Sequence, residues 1–339
     1  MMKVAVREAD PCNERVDLLR LLRSCLASDI DEQRLDWLYL ANPHGHARVW
    51  VLEDKNGLVG AGAAIPRRVQ VSGAYLAACI FGDFCILPAY RTIGPALQLQ
   101  RACIQAVDGE WTRLAYDLPS ASMMAVYRRL GIRERASLVR MAKPLRVNHQ
   151  VHKHVNSGTL ARLAYGTGNA VLRARDRIRS RNLEVETSLC VQPFGEDFDE
   201  LRERMKWIMK DWCIERSSDY LNWRFREHPK TRYSIWTARK QGRLEAYAIT
   251  QTRDQDVQIA DFFGTDSPGI LESLLMTVVE SARAAHAQTL SAPILSGHPW
   301  QARLEALGFY ARETRPVVTY GEDSSWTPQA WLTEGDRDS

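Results

Sequence analysis

The sequence predicts two α+β modules of the same design within one chain. Three observations support this prediction. The chain has 339 residues, which is about the length of two average domains. Apolar residues make up 45% and charged residues 25%, as in ordinary globular proteins. An order of turns, strand-like runs and helix-like runs in the N-terminal half recurs in the C-terminal half.

The repeat consists of elements that return in the same order. Each half has a tryptophan 6 residues before a proline, two strand-like runs joined by a glycine turn, an Asp-Phe pair, a helix-like run and a Leu-Gly pair. In the first half these are Trp37, Pro43, 48–53, 58–65, Asp83-Phe84, 96–107 and Leu130-Gly131. In the second half they are Trp223, Pro229, 233–238, 243–249, Asp261-Phe262, 270–287 and Leu307-Gly308.

The repeat divides the chain into four parts. We expect an N-terminal module at 1–143, a basic, partly helical linker at 144–185, a second module at 186–320 and an acidic tail at 321–339. Trp326 and Trp331 of the tail are candidates to pack back onto a module.

A strand, a turn and a helix in the first half predict an anion site. Residues 77–87 are typical of a buried strand that Pro88 closes. Gly94-Pro95 then opens a helix, because proline suits the first helical position. Free backbone amides and the helix dipole at such an N-terminus favour a pyrophosphate group. The structural alternative is an ordinary strand-to-helix turn.

At these residues the chain resembles the GNAT family of acyl-CoA-dependent N-acyltransferases. That family carries an Arg/Gln-x-x-Gly-x-Gly/Ala loop that cradles the CoA pyrophosphate, and Arg91-x-x-Gly94-x-Ala96 follows the pattern. Pro95 departs from a full cradle because proline has no amide hydrogen to donate. The resemblance covers residues 3–143 and extends more faintly to 188–320. It implies two modules, each a mixed, mostly antiparallel central sheet flanked by helices, with acetyl-CoA or another acyl-CoA as co-substrate and no metal.

The resemblance also implies catalytic residues. Many family members carry a tyrosine before Leu-Gly that protonates the leaving thiolate, and Tyr127 precedes Leu130-Gly131 in that way. Acyl transfer also needs a base for the attacking ammonium group. Asp83 is the expected base, with Asp117 as the other carboxylate near the expected cleft. A buried aspartate bonded to backbone amides is the structural alternative for Asp83.

The expected reaction is direct attack of an amine on the thioester, with a strand amide near 85–87 polarising the carbonyl oxygen. An acyl-cysteine on Cys85 is the covalent alternative. The expected CoA-binding residues are Cys85, Ile86, Leu87, Arg91, Thr92, Ile93, Gly94, Ala96 and Ser120.

The second half lacks both chemical features. Its matching segment, 264–272, has no arginine-led loop, and Asp266 and Glu272 would repel a pyrophosphate. Leu304 stands where the first half has Tyr127. We therefore expect catalysis in the first module, with the second helping to form the acceptor pocket.

The remaining features of the sequence limit the possible partners and the possible location of the protein. A net charge of +4 without a concentrated basic face argues against nucleic acid. The absence of a secretory signal and of a long apolar run, together with 7 scattered cysteines, predicts a cytoplasmic protein with no transmembrane segment and no metal site. The expected acceptor is a small-molecule amine, an amino sugar or a peptide. The basic linker is either a solvated face or a docking site for an acyl carrier protein or an anionic membrane surface.

Two alternatives to an N-acyltransferase stay open at this point. FemABX-type aminoacyl transferases also pair two GNAT-like modules, although they do not depend on the pyrophosphate loop. The other alternative is a non-catalytic CoA-binding or scaffold protein. The Trp37-to-Pro43 element, followed by Asp83 and by Leu118-Pro119-Ser120, also looks like a tandem-GNAT subgroup found with bacterial cell-surface or secondary-metabolite genes, which says little about substrate.

Overall fold

The computed structural model describes residues 4–107, 110–146, 185–208, 212–321 and 330–337. The elements of the first half are β1 (Ala5–Ala9), α1 (Arg15–Cys25), α2 (Glu32–Leu35), a π-helical turn (Asp36–Leu40), β2 (Arg48–Asp54), β3 (Gly57–Val71), β4 (Ala74–Ile86), a 3-10 turn (Pro88–Tyr90), α3 (Ile93–Gln105), β5 (Leu114–Asp117), α4 (Ala121–Arg129) and β6 (Glu134–Pro144).

The second half repeats this order. Its elements are β7 (Glu186–Cys190), α5 (Glu196–Ile208), β8 (Cys213–Ile214), α6 (Ser218–Leu221), a π-helical turn (Asn222–Arg226), β9 (Ser234–Lys240), β10 (Arg243–Arg253), β11 (Asp256–Gly264), α7 (Ile270–Ala284), β12 (Thr289–Leu295), α8 (Pro299–Ala306), β13 (Tyr310–Gly321) and a 3-10 turn (Glu334–Asp336). The helical part predicted for the linker lies in 147–184, outside the described residues.

All strands join one 13-stranded sheet in the order β1-β2-β3-β4-β5-β13-β6-β12-β11-β10-β9-β7, with β8 attached to β3. Most neighbours are antiparallel, while β4–β5 and β11–β12 are parallel. The predicted α+β class, with a mixed and mostly antiparallel sheet flanked by helices, is confirmed.

The two halves exchange their last strands. β13, from the end of the second half, lies between β5 and β6, and β6 in turn pairs with β12. The edge strand that β5 needs is therefore supplied by the other half. The predicted boundary at residue 143 falls within β6, one residue before its end.

The repeated tryptophans meet where the two halves join. The rings of Trp37 and Trp223 stack with centroids 4.9 Å apart and planes 18° apart. Each indole N–H donates to the backbone carbonyl of the other residue, at 2.8 and 2.9 Å. The two π-helical turns thus face each other about a local two-fold axis, which explains why both halves carry the tryptophan.

The end of the tail is part of the core. Trp331 is buried, and its backbone amide donates to the carbonyl of Trp212 at 2.7 Å. The carbonyl of Asp336 accepts from the hydroxyl of Tyr116 on β5 at 2.7 Å. The carboxylate of Asp336 pairs with Arg216 of the second half at 2.9 Å. Residues 330–337 therefore hold the two halves together, while Trp326 lies outside the described residues.

No helix in the described ranges is long and apolar enough to cross a bilayer.

Candidate functional site

The site lies where β4 and β5 separate. β4 runs to Ile86, but it pairs with β5 only through Ala78–Ile80. Beyond Ile80 the edge of β4 that faces β5 pairs with no strand among the described residues, and a cavity of about 980 Å³ lies there. Residues of both halves line this cavity. A diverging pair of strands thus gives a ligand access to backbone groups in the middle of the sheet.

A β-bulge shapes the wall of the cavity on β4. Two residues of β4, Asp83 and Phe84, lie opposite the single residue Gly62 of β3, and Asp83 has a φ of 48°. A bulge of this kind bends a strand and re-aims its side chains.

The backbone after the bulge exposes one residue to the cleft. The amide of Leu87 donates to the carbonyl of Val59 on β3 at 2.8 Å, so it points away from the cleft. Antiparallel pairs alternate, so the next pair, Gly60 and Ile86, points its backbone groups away from the partner strand. Nε of Arg91 donates to the carbonyl of Ile86 on that side at 2.8 Å. Of the three predicted strand amides, that of Ile86 is therefore the one that faces the cleft.

The phosphate loop ends in free amides. The sequence predicted Pro95 at the first helical position. In the structure α3 begins at Ile93, so Pro95 occupies the third position instead. The amides of Ile93 and Gly94 make no hydrogen bond to any described residue, whereas that of Thr92 donates to Tyr90 at 2.7 Å. A Cβ on Gly94 would meet no atom within 4 Å, so the space above it is open. Two free amides, the helix dipole and Arg91 fit a pyrophosphate group, with one donor fewer because of Pro95.

Tyr127 lies behind the cavity rather than in its wall. Its side chain is buried, and its hydroxyl donates to Oδ2 of Asp117 at 2.7 Å. Nε2 of Gln100 donates to the same hydroxyl at 3.3 Å. Burial and the neighbouring Asp117 raise the pKa of Tyr127 well above its usual value. Asp117 itself lines the cavity.

Asp83, the expected base, is held in an ion pair. Nη1 and Nη2 of Arg34 approach its two carboxylate oxygens at 3.0 and 2.8 Å. The hydroxyl of Tyr39 donates to Oδ2 of Asp83 at 2.7 Å. The carboxylate is buried and lines the cavity, but side chains bind both of its oxygens.

Two other predicted contacts have local partners. Ser120 caps α4, because its Oγ accepts from the amide of Met123 at 3.2 Å. Hydrogen bonding with Cys25 and burial raise the pKa of Cys85 well above its usual value, so this thiol stays protonated. The protonated state of Cys85 favours direct attack over an acyl-cysteine.

The second half forms the far wall of the cavity with His228, Lys230, Thr231, Tyr233 and Arg253. Nδ1 of His228 accepts from the amides of Lys230 and Thr231 at 3.2 and 3.0 Å. Burial lowers the pKa of His228 to about 3, so the ring is neutral. Lys230 pairs with Asp31 across the junction.

Sequence reasoning missed these residues individually, although His228 directly precedes the repeated Pro229. Arg34 and Gln100 carried no motif. Within the described ranges, no group of three or more His, Cys, Asp and Glu side chains is arranged to hold a metal ion.

Comparison with known proteins identifies the first half. Residues 8–134 match the family model of the acetyltransferase (GNAT) domain. The resemblance to the GNAT superfamily is thereby confirmed for this part of the chain. No curated protein sequence matches.

Solved structures show the same fold over nearly the whole chain. A GCN5-related N-acetyltransferase from Anabaena variabilis has 15% identity and a TM-score of 0.67, over 94% of this chain and 72% of that one. A probable N-acyltransferase from Enterococcus faecalis has 10% identity and a TM-score of 0.67, over 94% and 73%. Eis1 from Mycobacterium abscessus has 12% identity and a TM-score of 0.55, over 94% and 73%. At these identities the likeness concerns the fold.

Proposed function

We propose that this chain, whose residues 8–134 form a GNAT acetyltransferase domain, is an acyl-CoA-dependent N-acyltransferase. It would move an acetyl or longer acyl group from CoA to an amine. One observation carries the proposal: the free amides at the start of α3 and the unpaired edge of β4 border the same cavity. The free amides suit the pyrophosphate of CoA. The edge of β4 suits the extended pantetheine arm, which joins the pyrophosphate to the thioester.

The donor side of the cavity is proposed to lie on the first half. Arg91 and the amides of Ile93 and Gly94 would bind the pyrophosphate, and the backbone of Ile86 would contact the pantetheine arm or polarise the carbonyl oxygen. Thr92, Ala96 and Ser120 border the same path. The amine would attack the thioester directly, because the protonated Cys85 is a poor nucleophile.

The acceptor is proposed to bind between the two halves. The second half contributes neutral His228, Tyr233 and exposed Arg253 to the cavity wall opposite the donor side. A small-molecule amine, an amino sugar or a peptide end would fit this position. The second half would thus shape the acceptor pocket without a donor site of its own, and a cytoplasmic location stays a prediction.

Calorimetric titration with acetyl-CoA, longer acyl-CoAs and free CoA tests this function. We expect one binding site per chain. Gly94→Ala should raise the dissociation constant for CoA at least about tenfold, which is about 1.4 kcal/mol, because a methyl group would stand over the two free amides. The same change should leave the chain as stable or slightly more stable, because alanine is the better helix former.

Gly195→Ala is the control, since Gly195 lies directly before the start of α5 and its Cβ would meet nothing closer than 3.9 Å. It should bind CoA like the unchanged protein. Failure of every CoA ligand to bind would refute the acyltransferase and the CoA-binding scaffold alike, and would leave the aminoacyl transferase. Binding without thiol release to any amine would favour the scaffold.

A further inference from the structure

We propose that Asp117 moves the proton in this reaction, from the attacking nitrogen to the leaving sulfur, and that Tyr127 positions Asp117. The inference rests on the proposed acyltransferase function and names the group that performs proton transfer in its site. It assigns Tyr127 a role behind the reacting atoms instead of among them.

The position of Asp117 supports this role. It is the last residue of β5, the strand from which β4 diverges, and its side chain lines the cavity. The cleft opens between the last residues of β5 and the bulged part of β4. A carboxylate at this point faces the place where the acyl end of a thioester would lie.

The hydrogen bonds of Tyr127 leave it no proton for a ligand. A phenol has one proton to donate, and that of Tyr127 is directed at Oδ2 of Asp117, 2.7 Å away. Gln100 occupies the oxygen of Tyr127 from the other side. The side chain is 0% exposed and does not reach the cavity wall. Its raised pKa keeps the proton on the phenol, so Tyr127 acts as a fixed donor to Asp117.

Asp83 is less suited to the same task. Its two oxygens already accept two hydrogen bonds from Arg34 and one from Tyr39. A base must turn a lone pair toward the reacting nitrogen, and a bidentate guanidinium holds both carboxylate oxygens in place. Asp83 therefore holds α2 and the π-helical turn against the bulge of β4.

The proton balance of the step is simple for an uncharged amine. The nitrogen bonds to the thioester carbon, the carbon–sulfur bond breaks, and one proton passes from nitrogen to sulfur. Asp117 accepts that proton as the nitrogen becomes positive and gives it to the departing sulfur. An amine that arrives as an ammonium ion first loses one more proton to solvent.

Tyr127 should tune the basicity of Asp117. A hydrogen bond donated to a carboxylate favours its charged form and lowers its pKa. The other charged or titratable groups around the cavity are Cys25, Asp29, Arg34, Asp83, Cys85, Arg91, His228, Lys230, Tyr233, Arg253 and Arg337. The facing strand, β13, places uncharged Val318 opposite Asp117. None of these groups changes in a Tyr127 variant, so a shift in the pH profile reports the hydrogen bond.

The test is thiol release from saturating acetyl-CoA, with methoxyamine as the acceptor, measured from about pH 5 to pH 9. Methoxyamine is uncharged over most of this range. Asp117→Asn should lower kcat about 100-fold or more and remove the acidic limb, with the affinity for acetyl-CoA unchanged. Tyr127→Phe should lower kcat less, and should move the acidic limb to higher pH by about one unit.

Tyr116→Phe is the matched control. It removes a buried hydroxyl from the same strand, but that hydroxyl donates to the carbonyl of Asp336 and not to Asp117. It should lower stability and leave the acidic limb in place.

The proposal is overturned if Asp117→Asn keeps kcat within threefold, if Tyr127→Phe leaves the limb unmoved, or if the unchanged protein binds acetyl-CoA and releases no thiol above background. Loss of acetyl-CoA binding in the unchanged protein would instead refute the proposed function, so the two failures are distinct.

Discussion

Both halves have a pair of strands that diverge in the same way, and among the described residues the resulting cleft is open in the first half and filled in the second. In the second half β11 pairs with β12 only through Asp256–Gln258, as β4 pairs with β5 through three residues. The space beyond is filled by Trp331 of the tail and Trp300 of α8, whose rings lie 4.6 Å apart. The indole N–H of Trp331 donates to the carbonyl of Phe262 at 2.8 Å. This carbonyl belongs to the residue that matches Phe84 in the repeat.

The acidic residues at the position of the phosphate loop form ion pairs within the second half. Asp266 and Glu272 both pair with Arg303 of α8. In the second half, packed side chains thus occupy the space that forms the cavity in the first half. Opening of two strands is a property of the scaffold, whereas a binding site requires the opening to stay empty and the helix amides to stay free.

The same comparison separates structural carboxylates from chemical ones. Asp261, the counterpart of Asp83, is paired with Arg216 at 2.9 Å and accepts from the hydroxyl of Tyr247 at 3.0 Å. An aspartate bound by an arginine and a tyrosine therefore occurs in both halves, including the one with no donor loop. Asp117 has no such counterpart, because the strand register places Ala292 of β12 at the equivalent position.

Removal of the Trp331 side chain, which fills the cleft of the second half, should have the largest effect on stability. Trp331→Ala should lower the free energy of unfolding by about 3–5 kcal/mol, because it removes a buried indole and leaves a cavity. Urea unfolding measures this loss. Tyr320→Ala, at a side chain that is 38% exposed, is the control and should cost far less.

The same Trp331 variant tests whether an empty cleft suffices for binding. The stoichiometry of CoA binding should stay at one per chain, because the second half still lacks the arginine-led loop and keeps its two acids. A second CoA site in Trp331→Ala would show that Trp331 alone prevents CoA from binding to the second half.

The tryptophan pair at the junction should show equal stability effects and unequal kinetic ones. Trp37→Phe and Trp223→Phe each leave one buried carbonyl without its donor, so each should cost about 2 kcal/mol. Only Trp37 lines the cavity among these two. Trp37→Phe alone should therefore change kcat/KM for methoxyamine, and an equal change in Trp223→Phe would contradict the assignment of the site to the first half.

The internal repeat made much of the fold predictable. The order of strands, turns and helices follows from local patterns that each half carries, and the repeated tryptophans belong to that order, whereas their contact is visible only in the structure. The exchange of β6 and β13 was not predictable, because both strands carry the same kind of pattern and strand order depends on long-range pairing. The burial of Trp331 was anticipated only as a possibility, since nothing in the tail indicates the cleft that it fills.

The site was predictable where it depends on backbone and less so where it depends on side chains. The amides of Ile93 and Gly94 follow from a turn and a helix start, which are local. The pairing of Asp83 with Arg34 joins residues far apart in sequence, and the hydrogen bond between Tyr127 and Asp117 joins a helix to a strand end. No local sequence pattern indicates either contact, and these contacts distinguish the two carboxylates.

The smallest expected effect concerns the caps of the two matching helices, α4 and α8. Ser120 caps the first, while Nδ1 of His298 caps the second by accepting from the amide of Trp300 at 3.1 Å. Burial lowers the pKa of His298 to about 4, below the value of about 6.5 expected in the unfolded chain. The stability that this ring contributes is therefore present above about pH 6.5 and is lost as the pH falls toward 4.

His298→Ser would give the second half the cap of the first and remove this dependence. Between pH 7 and pH 5 the unchanged protein should lose about 2 kcal/mol more than the variant, measured by urea unfolding at both values. His46→Ser, at an exposed histidine, should keep the loss of the unchanged protein. An equal pH dependence in His298→Ser would mean that the ring can gain a proton without losing the cap. The histidine would then differ from Ser120 in packing against Trp331, with centroids 4.7 Å apart, and not in its response to acid.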